Sequence, residues 1–353
     1  MSKKKSEKFS EFSDPVLEDP HDLERTDENN SLSHFFQYML AIVGLVLLLC
    51  TVVMVVRWQR GKRLVIDPSE QTENFDMESQ DFHSAYDARL VDGYVDDGIN
   101  TIVILGDETI YRTMDDPTGI APLIAAGIDA DVTTLALPDS SISLQEASYT
   151  PEYPYDAFNL YYIVLAICSG DMGSYDLMTS VLGQIEDNTL YYKYWDVIHK
   201  IDFDKVDTLI LYYGQADYLF NRPLIGEEAY AEQPYGLPNS MAGAFHSCLT
   251  MLKNRFPYMQ ILVASPCYSL TRDENGIMRG SDLVHNSYGT LPGYSGAINL
   301  ICQEQSVSYI DNYLLENFNP DKYEGCLEGD GSYPNATGRK YIAEHILSFL
   351  NRN

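Results

Sequence analysis

Basic residues are scarce in this chain. Lys and Arg number 23 against 52 Asp and Glu, a formal net charge of −29. Binding to nucleic acid needs clustered cations that displace phosphate counterions, so a nucleic-acid partner is excluded. The acidity reads as a well-solvated surface. Histidine is also scarce, at seven, and no pair stands in a two-His metal spacing such as HExxH. No metal site and no cofactor is expected. The six cysteines form no CxxC pair and no zinc-type spacing. Cys50 lies in an apolar run, and the dispersed remainder reads as buried free thiols, not as a disulfide framework. No internal repeat or low-complexity tract is present.

Long apolar runs are few as well, and one of them stands out. Positions 35–56 read FFQYMLAIVGLVLLLCTVVMVV, with Gln37 the one strongly polar residue. At about 1.5 Å per residue the run reaches about 33 Å, enough for a hydrocarbon core of about 30 Å. A transmembrane helix over 35–57 is therefore expected, with Tyr38 and Trp58 as interfacial anchors. Residues 1–34 are polar, acidic and without apolar period, which predicts a disordered tail. Residues 58–94 read as a juxtamembrane tether. Arg57, Arg60, Lys62 and Arg63 flank the C-terminal side of the run, and the positive-inside rule would keep that side cytoplasmic.

From about residue 95 to the end, apolar runs alternate with helical patterns. Strands are predicted at 102–105, 132–137, 208–212, 260–264 and 308–310. Helices are predicted at 121–127, 155–169, 241–254, 293–305 and 336–350, with two or three helices between 140 and 206. Alternation of this kind implies βαβ units and a parallel sheet. The run Ile102 to Leu105 ends in Gly106-Asp107-Glu108, as a strand buried on both faces would. Ligands of such sheets bind beyond the carboxyl ends of the strands, so the candidate pocket comprises Asp107, Glu108, Thr109, Asp139, Ser140, Gly214, Gln215, Asp217, Asp330 and Ser332. The Tyr-rich stretches 149–155 and 191–195 read as packing of a helical cap or as stacking surfaces at a cleft mouth.

Three blocks carry a family resemblance. Asp207 to Tyr218 (DTLILYYGQADY) looks like a strand entering a GxND block. Leu252 to Pro266 (LKNRFPYMQILVASP) looks like the helix and strand that follow. Asp330 to Gly338 (DGSYPNATG) looks like a DxxHPNxxG block. In order and spacing they resemble the SGNH (GDSL-like) hydrolase family. The resemblance implies a three-layer α/β/α sandwich of about five parallel strands, flavodoxin-like in winding, and acyl-ester hydrolysis. It also implies a Ser nucleophile after Gly-Asp, a His base, and an oxyanion hole that includes an Asn and a second-block Gly.

The catalytic positions depart from that pattern. The nucleophile position holds Glu108, the oxyanion Asn position Ala216 and the base position Tyr333; the second-block Gly corresponds to Asp139, and only Asp330 remains of the triad. Glu108 is expected at the amino end of a short helix, where free N–H groups favour a carboxylate and where it fills the oxyanion site itself. Other options are a Glu108–Asp330 carboxylate pair that activates water, an acidic cluster for a hard cation, or mere capping of two helices by Glu108 and Asp330. The favoured reading is a catalytically inactive, membrane-anchored SGNH-like domain, a binding or assembly module of the cell envelope with carbohydrate or envelope polymer as partner. An esterase or acyl transferase with a rearranged site is the alternative. Single-anchor proteins of this family work outside the cytoplasm, which sets the expected location against the basic flank.

Overall fold

The computed structural model describes residues 43, 44, 48, 80–92, 94, 96–169, 175–226 and 235–351. The expected tail and most of the expected span and tether lie outside the described residues. Val43, Gly44 and Leu48 are helical. Among the described residues no helix is long and apolar enough to cross a membrane.

Five strands make one sheet: β1 (Thr101–Gly106), β2 (Asp131–Ala136), β3 (Thr208–Tyr212), β4 (Gln260–Ala264) and β7 (Ser308–Ile310). Their order is β2-β1-β3-β4-β7, and every pairing is parallel. β1 and β3 are buried from their second residue onward, because helices cover both faces and leave no solvent side for polar alternation. A hairpin of β5 (Leu270–Arg272) and β6 (Met278–Gly280) follows β4. These three-residue strands are too short to show period-two alternation, and the sequence did not announce them.

The helices are α1 (Glu108–Tyr111), α2 (Ile120–Gly127), α3 (Leu160–Ser169), α4 (Asp176–Leu182), α5 (Thr189–Ile198), α6 (Gln215–Leu219), α7 (Met241–Arg255), α8 (Leu291–Gln305) and α9 (Ala336–Leu350). α2 packs on α9, while α3 packs on α7 and α7 on α8. Right-handed crossovers place these two groups on opposite faces: the chain first moves from β1 to β2, then returns across β1 to β3. The result is the three-layer sandwich with flavodoxin-like winding.

The strand order reverses between β1 and β3, and ligand crevices of open α/β sheets open at such a reversal. Gly106 ends β1 there. A Cβ on it would lie 2.6 Å from the Ile110 side chain, so α1 can fold this closely over the strand only on glycine. Gly214 ends the β3 turn with φ 121, and a Cβ would also press Ile298.

Part of the segment expected as tether belongs to the domain edge. Phe82 donates to the Tyr309 carbonyl at 2.9 Å and accepts from the Tyr309 N–H at 2.8 Å, which covers the outer edge of β7.

Candidate functional site

The first block is built around Asp107. It caps α1 by accepting from the Thr109 N–H at 3.0 Å, so the cap is Asp107 and not Glu108. A carboxylate here satisfies one of the free N–H groups at the helix start. Its second oxygen, Oδ2, has no partner. Burial pushes the Asp107 carboxyl up to about 7, with the charges of Asp217 and Glu108 adding to the rise and the Thr109 N–H opposing it.

Glu108 is the first residue of α1. Burial raises its carboxyl above the ordinary range, and the charge of Asp139 adds to that; Arg112 and the Asp139 backbone N–H oppose it. The Asp139 backbone N–H thus faces this carboxylate and favours its charged form. Asp139 adopts φ 56, the left-handed region where glycine is at ease. Asp tolerates this backbone better than most side chains.

Arg112 sits one turn from Glu108, its Nη1 3.6 Å from the carboxylate. Its Nη2 donates to Glu328 at 2.9 Å, and its guanidinium lies 4.5 Å from the Tyr333 ring centroid. Glu328 reaches Arg339 at 3.6 Å, and Arg339 reaches Asp116 at 3.4 Å. Tyr333 is therefore roofed by a cation belonging to a chain of ion pairs. Burial, then the charges of Glu108 and Asp107, raise its hydroxyl above the ordinary value. It stays protonated at neutral pH and cannot act as a base.

Gln215 ties three blocks together. Its Oε1 accepts from the Thr109 hydroxyl at 2.8 Å, and its Nε2 donates to the Ser332 carbonyl at 3.2 Å. Ala216 is buried in α6 and has no side-chain donor. Asp217 is buried and turned away from Glu108. It accepts from the Ile142 N–H at 2.7 Å, the Ser143 N–H at 3.0 Å and the Ser143 hydroxyl at 2.6 Å, which shapes the loop after β2.

The remaining candidates are bound to the frame. The Ser140 hydroxyl donates to the Phe158 carbonyl at 2.9 Å, and the Ser141 hydroxyl to the Ser143 carbonyl at 2.8 Å. Asp330 is exposed and accepts from the Ser332 N–H at 3.0 Å, closing its own turn. It does not cap the last helix. That cap is Asn335, which accepts from the N–H groups of Thr337 at 2.9 Å and Gly338 at 3.2 Å. The acidic neighbour of Glu108 is Asp139, not Asp330. Among the described residues no group of three or more His, Cys, Asp or Glu could hold a metal ion.

His246 lies against Tyr235 with centroids 5.3 Å apart, and His285 is exposed. The other described histidines engage Phe349, Trp195 and Asp81. None of these partners belongs to the site.

A cleft of about 710 Å³ opens beside Asp139, with Tyr155, Tyr191, Phe220 and Arg222 in its lining. A second cavity, of about 540 Å³, lies at the amino ends of the strands among Asn100, Asp207 and Tyr258, far from these groups. Arg112 was legible as the i+4 partner of Glu108. Tyr191 belongs to the Tyr-rich stretch 191–195 read as cap packing or a cleft-mouth surface, whereas Glu328 and Arg222 had no sequence signal, because they arrive from loops distant in the chain.

No protein-family model matches the sequence, and no curated relative matches it. Solved structures do. A protein from Lactobacillus plantarum is 16% identical, with 74% of this chain and 99% of that chain covered and a TM-score of 0.47. Est24, a carbohydrate acetylesterase from Sinorhizobium meliloti, is 14% identical, with 72% and 99% covered and a TM-score of 0.41. A candidate lipolytic protein of the G-D-S-L family from Desulfitobacterium hafniense is 12% identical, with 70% and 98% covered and a TM-score of 0.39. The sheet order is that of a flavodoxin-like three-layer sandwich, and the blocks that resemble the SGNH/GDSL-like family lie at its carboxyl end. What the site does depends on the side chains present.

Proposed function

We propose that the chain is a membrane-anchored SGNH-like domain without hydrolytic activity, a binding or assembly module of the cell envelope with a carbohydrate or envelope polymer as partner. The observation that carries this reading is the Glu108 carboxylate. It stands at the position the resemblance gives to the nucleophile, faces the backbone N–H of Asp139, and pairs with Arg112, which roofs Tyr333. An acyl substrate would need that N–H for its own oxyanion. The hydroxyls of Thr109, Ser140 and Ser141 already donate to the protein, so none of these three stands ready as a substitute nucleophile. The test is a fluorophosphonate probe on the purified protein. No labelling is expected, and stoichiometric labelling would reject the proposal.

Anchoring rests on the apolar run 35–56, and an extracytoplasmic domain is part of the same proposal. Protease added to intact cells should digest the domain; full protection would place it inside.

A second reading has one observation in its favour. Burial and the Asp139 charge raise the Glu108 carboxyl, and a carboxylate so tuned is a better proton acceptor for an attacking water. This esterase or acyl transferase would release acetate from acetylated sugars, and Glu108→Ala would abolish the release. Release that survives Glu108→Ala removes this reading.

A further inference from the structure

The cleft beside Asp139 is not needed by any role assigned so far, and its chemistry points to a ligand class. Arg222 forms part of its floor, 8% exposed, with an Nε that has no hydrogen-bond partner. The charges of Asp156 and Asp217 face this guanidinium from within the fold. A buried N–H without an acceptor is unfavourable, so the floor suits a ligand that brings an oxygen.

The outer part of the cleft has the opposite demand. Asp139 and Glu152 are exposed carboxylates in the lining, whereas Asp156 is buried and faces Arg222. With Arg222 the one cation of the lining and already faced by Asp156 and Asp217, the two exposed carboxylates repel an anion and attract a cation. Aromatic faces stand among them: Tyr155 is 51% exposed and Phe220 44%, and the Tyr191 ring lies 5.4 Å from that of Tyr155. Such faces attract an ammonium and pack the apolar face of a saturated ring.

We infer that this cleft binds a protonated amine carried on a hydroxylated skeleton, as in an amino sugar. The ammonium lies between the rim carboxylates and the aromatic faces, and a ligand hydroxyl or ring oxygen lies over the Arg222 guanidinium. The inference rests on the reading of this domain as a binding module, and it narrows the partner from carbohydrate in general to its amine-bearing forms.

The experiment is calorimetric titration of the full chain in detergent micelles with two tetrasaccharides at pH 6 and low salt. One is the glucosamine tetramer, with free amines; the other is its N-acetylated counterpart, with the same rings and no charge. The amine form should bind at least tenfold more tightly, and added salt should shrink the difference. In the double variant Asp139→Asn, Glu152→Gln the two affinities should converge to within twofold. Asn accepts the left-handed backbone at 139, so the variant keeps its loop. Tyr155→Ala should weaken the amine form about tenfold. Equal binding of the two tetramers, a preference for the acetylated one, no binding of either, or a preference that survives the double variant would each overturn the inference. Fluorophosphonate labelling of the same preparation reads the absence of hydrolysis separately. A failed amine preference with no labelling leaves the inactive-module reading intact, whereas labelling removes that reading whatever the titration gives.

Discussion

Two sets of side chains share the loops at the carboxyl end of this sheet, and they differ in what they face. Asp217 and Asn335 face backbone. The first holds the loop after β2 through the N–H groups of Ile142 and Ser143, and the second caps α9 and also donates to the carbonyls of Gly325 and Leu327, both at 2.9 Å. Glu108, Ala216 and Tyr333 instead occupy the positions that the family resemblance gives to nucleophile, oxyanion donor and base. The first set matches the SGNH pattern and the second departs from it. The blocks of that family combine two jobs, shaping loops and performing chemistry, and the proposed function separates them in this chain. Loop shape needs buried acceptors at fixed places; a site relieved of chemistry does not need a nucleophile, a base or an oxyanion donor.

The sharpest way to break this comparison is Asp217→Ala. The change strips partners from two buried N–H groups and a hydroxyl, and each unsatisfied buried group costs about 1–3 kcal/mol. A loss of about 3 kcal/mol or more in chemical denaturation is expected. A loss below about 1 kcal/mol would mean that the loop after β2 stands without Asp217, and the framework set would lose its clearest member.

The same division decides what was legible in the sequence. Strands β3, β4 and β7 and helix α9 fall on the predicted residues, since buried parallel strands are plain apolar runs and α9 begins at an Asn cap. Of the three helices between β2 and β3, α3 falls within the predicted 155–169, whereas the other two were expected in number but not in place. The position of the site followed from motif order, because the reversal between β1 and β3 brings Gly106 and Gly214 together. Side-chain partners were less legible. Asp330 looked like a surviving triad member and closes its own turn, whereas the group beside Glu108 is Asp139, from another loop. Arg112 and Tyr333, and Arg222 with Asp139 and Asp156, meet across more than sixty positions of sequence, and local pattern carries no information about such meetings.

Asp107 tests the boundary between the two sets, since it caps α1 with one oxygen and leaves the other unpartnered. Its carboxyl is pushed up to about 7 from an ordinary 3.8 by burial. The folded chain therefore holds this proton more tightly than the unfolded chain does. Stability contributed by the group is present below pH 3.8 and is lost as pH rises toward 7. Asp107→Asn keeps the cap acceptor and carries no charge. Its melting temperature should match that of the parent near pH 3.5 and exceed it increasingly up to pH 7. Parallel melting curves across that range would show that Asp107 is partnered and belongs with the framework.

Glu108→Ser should have the smallest effect on stability and the most informative effect on chemistry. Arg112 keeps its 2.9 Å bond to Glu328, and the 3.6 Å contact with Glu108 is partly exposed; such pairs contribute about 0.2–1 kcal/mol. Removing Glu108 also relieves its repulsion from Asp139. Stability should change by no more than about 0.5 kcal/mol. The new hydroxyl would sit at the nucleophile position and remove the carboxylate from in front of the Asp139 N–H, yet fluorophosphonate labelling should remain absent. Tyr333 keeps its proton beneath Arg112, and Ala216 offers no donor, a deficit worth about 3–4 kcal/mol where one such donor is removed from a working hole. Labelling should appear only when Ala216→Asn and Tyr333→His are added. Rapid labelling of the single variant would mean that base and hole are supplied by residues other than those at the family positions, so that the carboxylate alone keeps the site silent.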